Sequence, residues 1–201
     1  MTINTEDMLN SILESLSRID YIKPEDVPNI DLYMDQVTTF MDARLKASKR
    51  YPEDKILTKT MINNYAKNNL LPPPVKKKYS KEHVLVLIFI YYFKNILSIK
   101  DIESLLKTIT DKYFDTEESL DLESVYKEVF HLEKERIQSL KEDIKKMYDT
   151  SNDTFADVEE NDRDFLQLFS FICALSFDVY VKKQLIEKLI DQLPDKKNDK
   201  T

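Results

Sequence analysis

Apolar residues recur at steps of three and four along most of this 201-residue chain, and that period predicts helix almost throughout. Met8, Leu9, Ile12, Leu13 and Leu16 outline a first helix within residues 1–19, and Pro24 and Pro28 mark residues 20–30 as a linker. Tyr33, Val37, Phe40, Met41 and Leu45 give a helix over 32–48 one inward face, with Asp31 as its cap. Residues 59–68 predict a short helix capped by Thr58 or Thr60, with Met61, Ile62 and Tyr65 inward and Lys59, Thr60, Asn63, Asn64 and Lys67 outward. Leu70, Leu71 and the run Pro72, Pro73, Pro74 end it, and the prolines predict an extended arm from Val75 to Tyr79.

Ser80 caps the next helix, whose residues 84–97 are nearly all apolar; such a helix belongs at the centre of a core. Ser98 starts a helix over 99–108 with Ile99, Ile102, Leu105 and Leu106 inward, and 110–121 is an acidic connector. Residues 122–148 predict a long amphipathic helix with the stripe Leu122, Val125, Val129, Leu132, Ile137, Leu140, Ile144 and Met147. After a polar break over 149–162, residues 164–193 are helical and broadly apolar up to Val181, so they need cover from two directions, a core or a partner subunit. Residues 194–201 are expected to be a solvated tail. His83 is expected to be partly exposed, His131 solvated and Cys173 a buried thiol.

The reading is an all-α protein, divided into an N-terminal helix and linker over 1–30, a central domain over 31–108 and a C-terminal helical region over 109–201. The composition then narrows the chemistry. The chain has no glycine, so phosphate-cradling loops and dinucleotide fingerprints are absent, and left-handed turns fall to other residues such as Asn. One cysteine and two histidines form neither an intramolecular disulfide nor a zinc cluster. No nucleophile motif is present, and carboxylate pairs such as Asp121 and Glu123 carry no weight in a chain this rich in acids, so neither an enzyme nor a cofactor is expected. No secretory signal precedes the first helix, and residues 165–181 contain Gln167, Ser170, Ser176 and Asp178, too short and polar a run for a bilayer; a cytoplasmic protein without a membrane partner is expected.

Charge changes the picture most. Residues 44–82 hold eleven Lys and Arg against three acids, a net of +8, which leaves −15 for the rest of a chain with net charge −7. A basic segment on an acidic body steers a polyanion to one place and repels it elsewhere. Lys76, Lys77, Lys78 and Tyr79 suit phosphate contacts, and outward Asn63 and Asn64 suit adenine edges in a major groove. A solvated polar face is the plainer account of the same residues.

Tyr65, then Leu70 and Leu71, then Pro72 to Pro74, then Lys77, Tyr79 and Ser80, and later Ser98, Ile99 and Ile102, follow one another in the order of a known pattern. At these positions the chain resembles the DNA-binding domain of MerR-type regulators, a winged helix-turn-helix. Asn69 stands where that family has glycine, Asn63 where it usually has arginine, and Lys77 where it has arginine. Residues from about 31 to 106 look more closely like a bacterial domain family of unknown function that itself resembles these regulators. The resemblance implies a transcriptional regulator on double-stranded DNA, acting as a homodimer, with C-terminal helices that dimerise or sense an effector. The alternative is a helical protein-interaction module that keeps the fold without DNA.

Overall fold

The computed structural model describes residues 5–16 and 21–193; the ends of the first expected helix and the tail over 194–201 lie outside the described residues. The described chain is mostly helical: α1 (Thr5–Leu16), α2 (Met34–Leu45), α3 (Lys59–Lys67), α4 (Lys81–Phe93), α5 (Ile99–Tyr113), α6 (Leu122–Asn152) and α7 (Glu160–Ile190). Two short strands, β1 (Leu32–Tyr33) and β2 (Lys78–Tyr79), pair antiparallel, with Leu32 opposite Tyr79 and Tyr33 opposite Lys78. The chain divides into two compact units, one of residues 21–130 with 186 onward, the other of residues up to 20 with 131–185.

The first unit is built around α4. Every residue from His83 to Tyr91 is buried. A helix apolar on all sides has no solvent face, so its neighbours must surround it. Val37, Met41 and Leu45 of α2, Ile62 and Tyr65 of α3, Ile102 and Leu106 of α5, and Leu122 and Tyr126 of α6 do so. Each such side chain contributes about 1.5–3 kcal/mol on burial. Ser98 caps α5: its hydroxyl accepts from the Asp101 N–H at 3.2 Å, and the Asp101 carboxylate accepts in turn from the Ser98 N–H at 3.2 Å.

Several boundaries and faces differ from the sequence expectation. Helix α2 begins at Met34, because Leu32 and Tyr33 are drawn into the sheet; Asp31 precedes the strand and does not cap the helix. Tyr33 is 55% exposed instead of inward. Its N–H donates to the Gln36 side chain at 2.8 Å, which closes the start of α2. Helix α5 runs to Tyr113, taking up the start of the expected connector, and Ile99 in its first turn is exposed.

In the first turns of α6 the buried positions are Leu122, Tyr126 and partly Phe130, while Val129, Leu132 and, farther on, Leu140 of the expected stripe are exposed. The helix is turned so that an aromatic row at i, i+4 spacing meets Tyr21, Phe89 and Tyr92. The buried Tyr126 hydroxyl then donates to the Ile22 carbonyl at 2.6 Å. Two rotational settings of a helix with this much apolar surface satisfy the same period, and packing selects between them.

The second unit joins α1 with the later part of α6 and most of α7. Leu9, Leu13, Tyr148 and Phe171 form its small core, with Ile144, Met147, Leu168 and Leu175 around them. Helices α6 and α7 run antiparallel here. The Gln167 amide donates to the Asn152 and Thr154 carbonyls, and Tyr148 meets Phe171 edge-on at 5.4 Å. Helix α7 uses only one side for this, so Cys173 is exposed, contrary to the buried thiol expected from its apolar surroundings. By length and composition alone, Asp162–Ile190 is long and apolar enough to cross a membrane, longer than the run measured on the sequence.

Candidate nucleic-acid interface

Helix α3 and the loop after it are set by local chemistry. The Thr58 hydroxyl accepts from the Met61 N–H at 3.2 Å, one of the two expected caps. Ile62 and Tyr65 are buried, and Lys59, Thr60, Asn63, Asn64 and Lys67 are all exposed. At the C-terminus Leu70 N–H reaches back to the Tyr65 carbonyl at 2.9 Å and Asn69 N–H to Ala66 at 3.4 Å. That is a Schellman closure, which requires a left-handed residue. Asn69 supplies it at φ 57°, in a chain without glycine. The closure turns Leu70 and Leu71 into the core, each 1% exposed.

The segment between α2 and α3 is long but tied down. Ile56 and Leu57 are buried, and Lys94, just past the end of α4, donates to the Ile56 carbonyl at 2.7 Å. Burial pulls the Lys94 ammonium below the usual lysine range. Tyr91 shares a hydrogen bond with Ser48. The long connection therefore leaves α3 fixed on the core.

The arm after the prolines is not extended. Val75 and Lys78 exchange both backbone hydrogen bonds, at 3.1 and 2.9 Å, and enclose a two-residue turn. Lys76 and Lys77 sit there at φ 51° and 65°. Positive φ at both central positions is the type I′ hairpin turn, which Asn-Gly normally fills. Lysine in the left-handed region costs about 1–2 kcal/mol per residue. Both lysines are exposed, with no ion-pair partner among the described residues.

The hairpin is anchored at its two roots. The Lys78 ammonium lies over the Tyr33 ring at 5.5 Å from the centroid, and β2 pairs with β1. At the other root, His83 Nε2 lies 3.4 Å from the Pro73 carbonyl oxygen. His83 Nδ1 accepts from the Ser80 N–H at 3.0 Å, so the ring proton is on Nε2 and donates to Pro73. His83 is 3% exposed, a buried structural residue and not the partly exposed one expected. Burial pushes its pKa below the ordinary 6.5, against the opposing pull of Asp31 and Asp115.

Tyr79 is also corrected. It is 3% exposed, with its ring edge-on to His83 at 5.6 Å, and burial raises its phenol pKa. It belongs to the core and is not a surface phosphate contact.

The basic residues are only partly available. Lys81 pairs with Glu123 at 2.7 Å, Lys49 with Asp42 at 2.7 Å and Arg44 with Asp26 at 3.5 Å. Lys59 pairs with Asp35. Lys59 and Asp35 are both more than half exposed, so water and a competing anion open that pair at little cost. The same residues fix the geometry: Asp35 brings the start of α3, and Tyr33 brings Lys78, to the first turn of α2. The α3 N-terminus and the hairpin strand thus share one end of α2.

Sequence reasoning missed Tyr33, Asp35, His83 and the lysine turn. Only His83 left a trace: it stands three residues after a Ser cap, where a side chain can reach back to the cap N–H.

Residues 22–129, just over half the chain, match a family described as a domain of unknown function (DUF1836). The match is wider than the stretch from about 31 to 106 read from the sequence. No curated protein and no solved structure matches the chain.

Proposed function

We propose that this chain, which belongs to the DUF1836 family, is a non-enzymatic cytoplasmic regulator that binds duplex DNA as a homodimer, in the manner of a winged helix-turn-helix. Helices α2 and α3 are its helix-turn-helix, and the Lys76–Lys77 turn is its wing. Helix α3 enters the major groove, where Asn63 and Asn64 meet base edges and Lys59, Thr60 and Lys67 meet the flanking backbone. Lys76, Lys77 and Lys78 hold phosphates beside it.

The observation that carries this reading is the turn itself. Two lysines sit in a conformation that disfavours them, at the exposed tip of a hairpin anchored by His83 and Tyr33. Backbone strain kept at an exposed, charged tip is what a binding site does, since turn stability alone would select Asn-Gly there. A second reading, a protein-interaction module on the same fold, draws on the neutralisation of Lys59 and Lys81 by Asp35 and Glu123.

A gel-shift titration on random-sequence duplex in ~50 mM salt tests the proposal. A complex is expected at micromolar protein, weakening steeply towards ~200 mM salt. Folded protein that shifts no duplex at ten micromolar sinks it and leaves the interaction module.

A further inference from the structure

We propose that the outward side of α7 is the self-association surface, and that its occupant is α7 of a second copy. This deepens the homodimer part of the proposed reading and stands apart from the DNA part.

Phe165, Phe169, Ile172, Ser176 and Val179 follow one another at steps of four, three, four and three. That is the spacing of a coiled-coil seam, with Cys173 and Tyr180 flanking it. Phe165 is 68%, Phe169 52%, Ile172 50%, Val179 62% and Tyr180 59% exposed. An adjacent side of the same helix, about a quarter turn round, carries Leu168, Phe171 and Leu175 into the core with α1 and α6. Helix α7 is therefore apolar on two sides and covered on one.

These side chains leave a continuous apolar stripe open along the helix, and such a stripe on a protein surface marks an interaction site. Over residues 163–185 the charges are Arg163, Asp164, Asp178, Lys182 and Lys183, a net of +1, and Asp178 already pairs with Lys182 at 2.6 Å. Two copies meet there without appreciable repulsion.

Lipid is the competing occupant, given the length of the apolar stretch. Helix α6, which packs along α7 in this unit, exposes Glu142, Asp143, Lys145, Lys146 and Asp149. Carrying those charges into hydrocarbon is costly, so α7 cannot span a bilayer with α6 attached. Two α6–α7 hairpins meeting through their α7 helices give a four-helix bundle with its charges outside.

Sedimentation velocity of the full chain at 1–50 µM tests this, with Phe169→Glu/Ile172→Glu as the disrupting variant and a circular dichroism melt to confirm that the variant folds. A dimer is expected for the wild type, and at least ~100-fold weaker dimerisation for the variant, as removal of central anchors produces. Cys173 is exposed and flanks the seam near its middle; a short bis-maleimide is expected to link wild-type chains in pairs and to leave Cys173→Ser unlinked. A wild type that stays monomeric at 50 µM, or a dimer that the double substitution leaves intact, overturns the proposal. So does a monomer that floats with anionic phosphatidylglycerol vesicles, which assigns the face to lipid. A monomer that still shifts duplex DNA fails this inference alone and spares the DNA reading.

Discussion

The imidazole of His83 donates from Nε2 to the carbonyl of Pro73, 3.4 Å away, while Nδ1 receives the Ser80 N–H. One ring thus caps α4 and holds the root of the wing. Accepting at Nδ1 requires the neutral ring, whereas the Nε2 bond to Pro73 survives protonation.

Acidification should therefore loosen this part of the protein. Burial lowers the folded-state pKa of His83 below its ordinary 6.5. The unfolded chain then binds the extra proton first, so the stability from His83 is complete above pH ~6.5 and is lost as pH falls below it. Neighbouring Glu82 acts with the opposite sign. Burial raises its pKa above 4.5, so its contribution is present below that value and is lost as pH rises through the folded pKa. His83→Gln keeps a neutral acceptor for the Ser80 N–H and removes only the first effect. The difference in Tm between this variant and the wild type should shift in the variant's favour between pH 7 and pH 5. A difference that stays flat over that range rules out a neutral, buried His83.

Replacing Lys76 and Lys77 by Asn and Gly separates stability from binding. Asn-Gly suits the two positive φ angles at this turn, so the double variant should gain about 1–2 kcal/mol, read as a rise in Tm. It also removes two ammonium groups from the wing tip. If both contact phosphates, the slope of log affinity against log salt falls by roughly two. A variant more stable than the wild type and weaker on DNA is the expected outcome. Unchanged DNA affinity and slope place the wing off the DNA.

Much of this was readable in the residues themselves. The unbroken apolar run in α4 has no way to sit at a surface, and it is the buried centre. Asn68 and Asn69 both follow α3 and are of a type suited to a left-handed closure, and Asn69 adopts it. The wing turn was not readable, because lysine carries no preference for positive φ and the prolines before it point to extension. Leu32 and Tyr33 form a strand too short to leave a period. In α6 the alternation admits two rotations, and the choice rests on Tyr126 finding the Ile22 carbonyl, 104 residues away. The exposure of α7 was equally hidden, since an apolar period shows that a face needs cover and not what covers it.

That Tyr126 contact carries a prediction of its own. The hydroxyl is buried and desolvation drives its pKa far up, so it stays a neutral donor at any accessible pH. Tyr126→Phe removes the donor and leaves the Ile22 carbonyl buried and unpaired, which costs about 1–3 kcal/mol. Denaturant unfolding should show a lower midpoint with an unchanged slope.

Asn69→Gly should stabilise the protein by up to about 1 kcal/mol, because glycine has no Cβ to strain at φ 57°. Asn69→Val should destabilise it by more, since a β-branched side chain is poorly tolerated there. The two variants moving in the same direction in thermal melts contradicts a left-handed closure after α3.

The sharpest test of α3 is sequence selection. Lysine contacts to phosphate weaken binding alike on all DNA, whereas an Asn amide that pairs with adenine matters at one base pair only. Asn63 and Asn64 are exposed and adjacent on α3, about a sixth of a turn from solvent-facing Thr60 and Lys67. Selection of binders from a randomised duplex pool should return a motif with the wild type. With Asn63→Ala or Asn64→Ala, one adenine position in that motif should relax, at a cost of about 1–3 kcal/mol on the selected site and none on random duplex. Lys67→Ala should do the reverse, keeping the motif and lowering the salt slope by about one. Asparagine variants that weaken random and selected duplex equally would leave the α3 face as a generic contact and move the search for specificity to the wing.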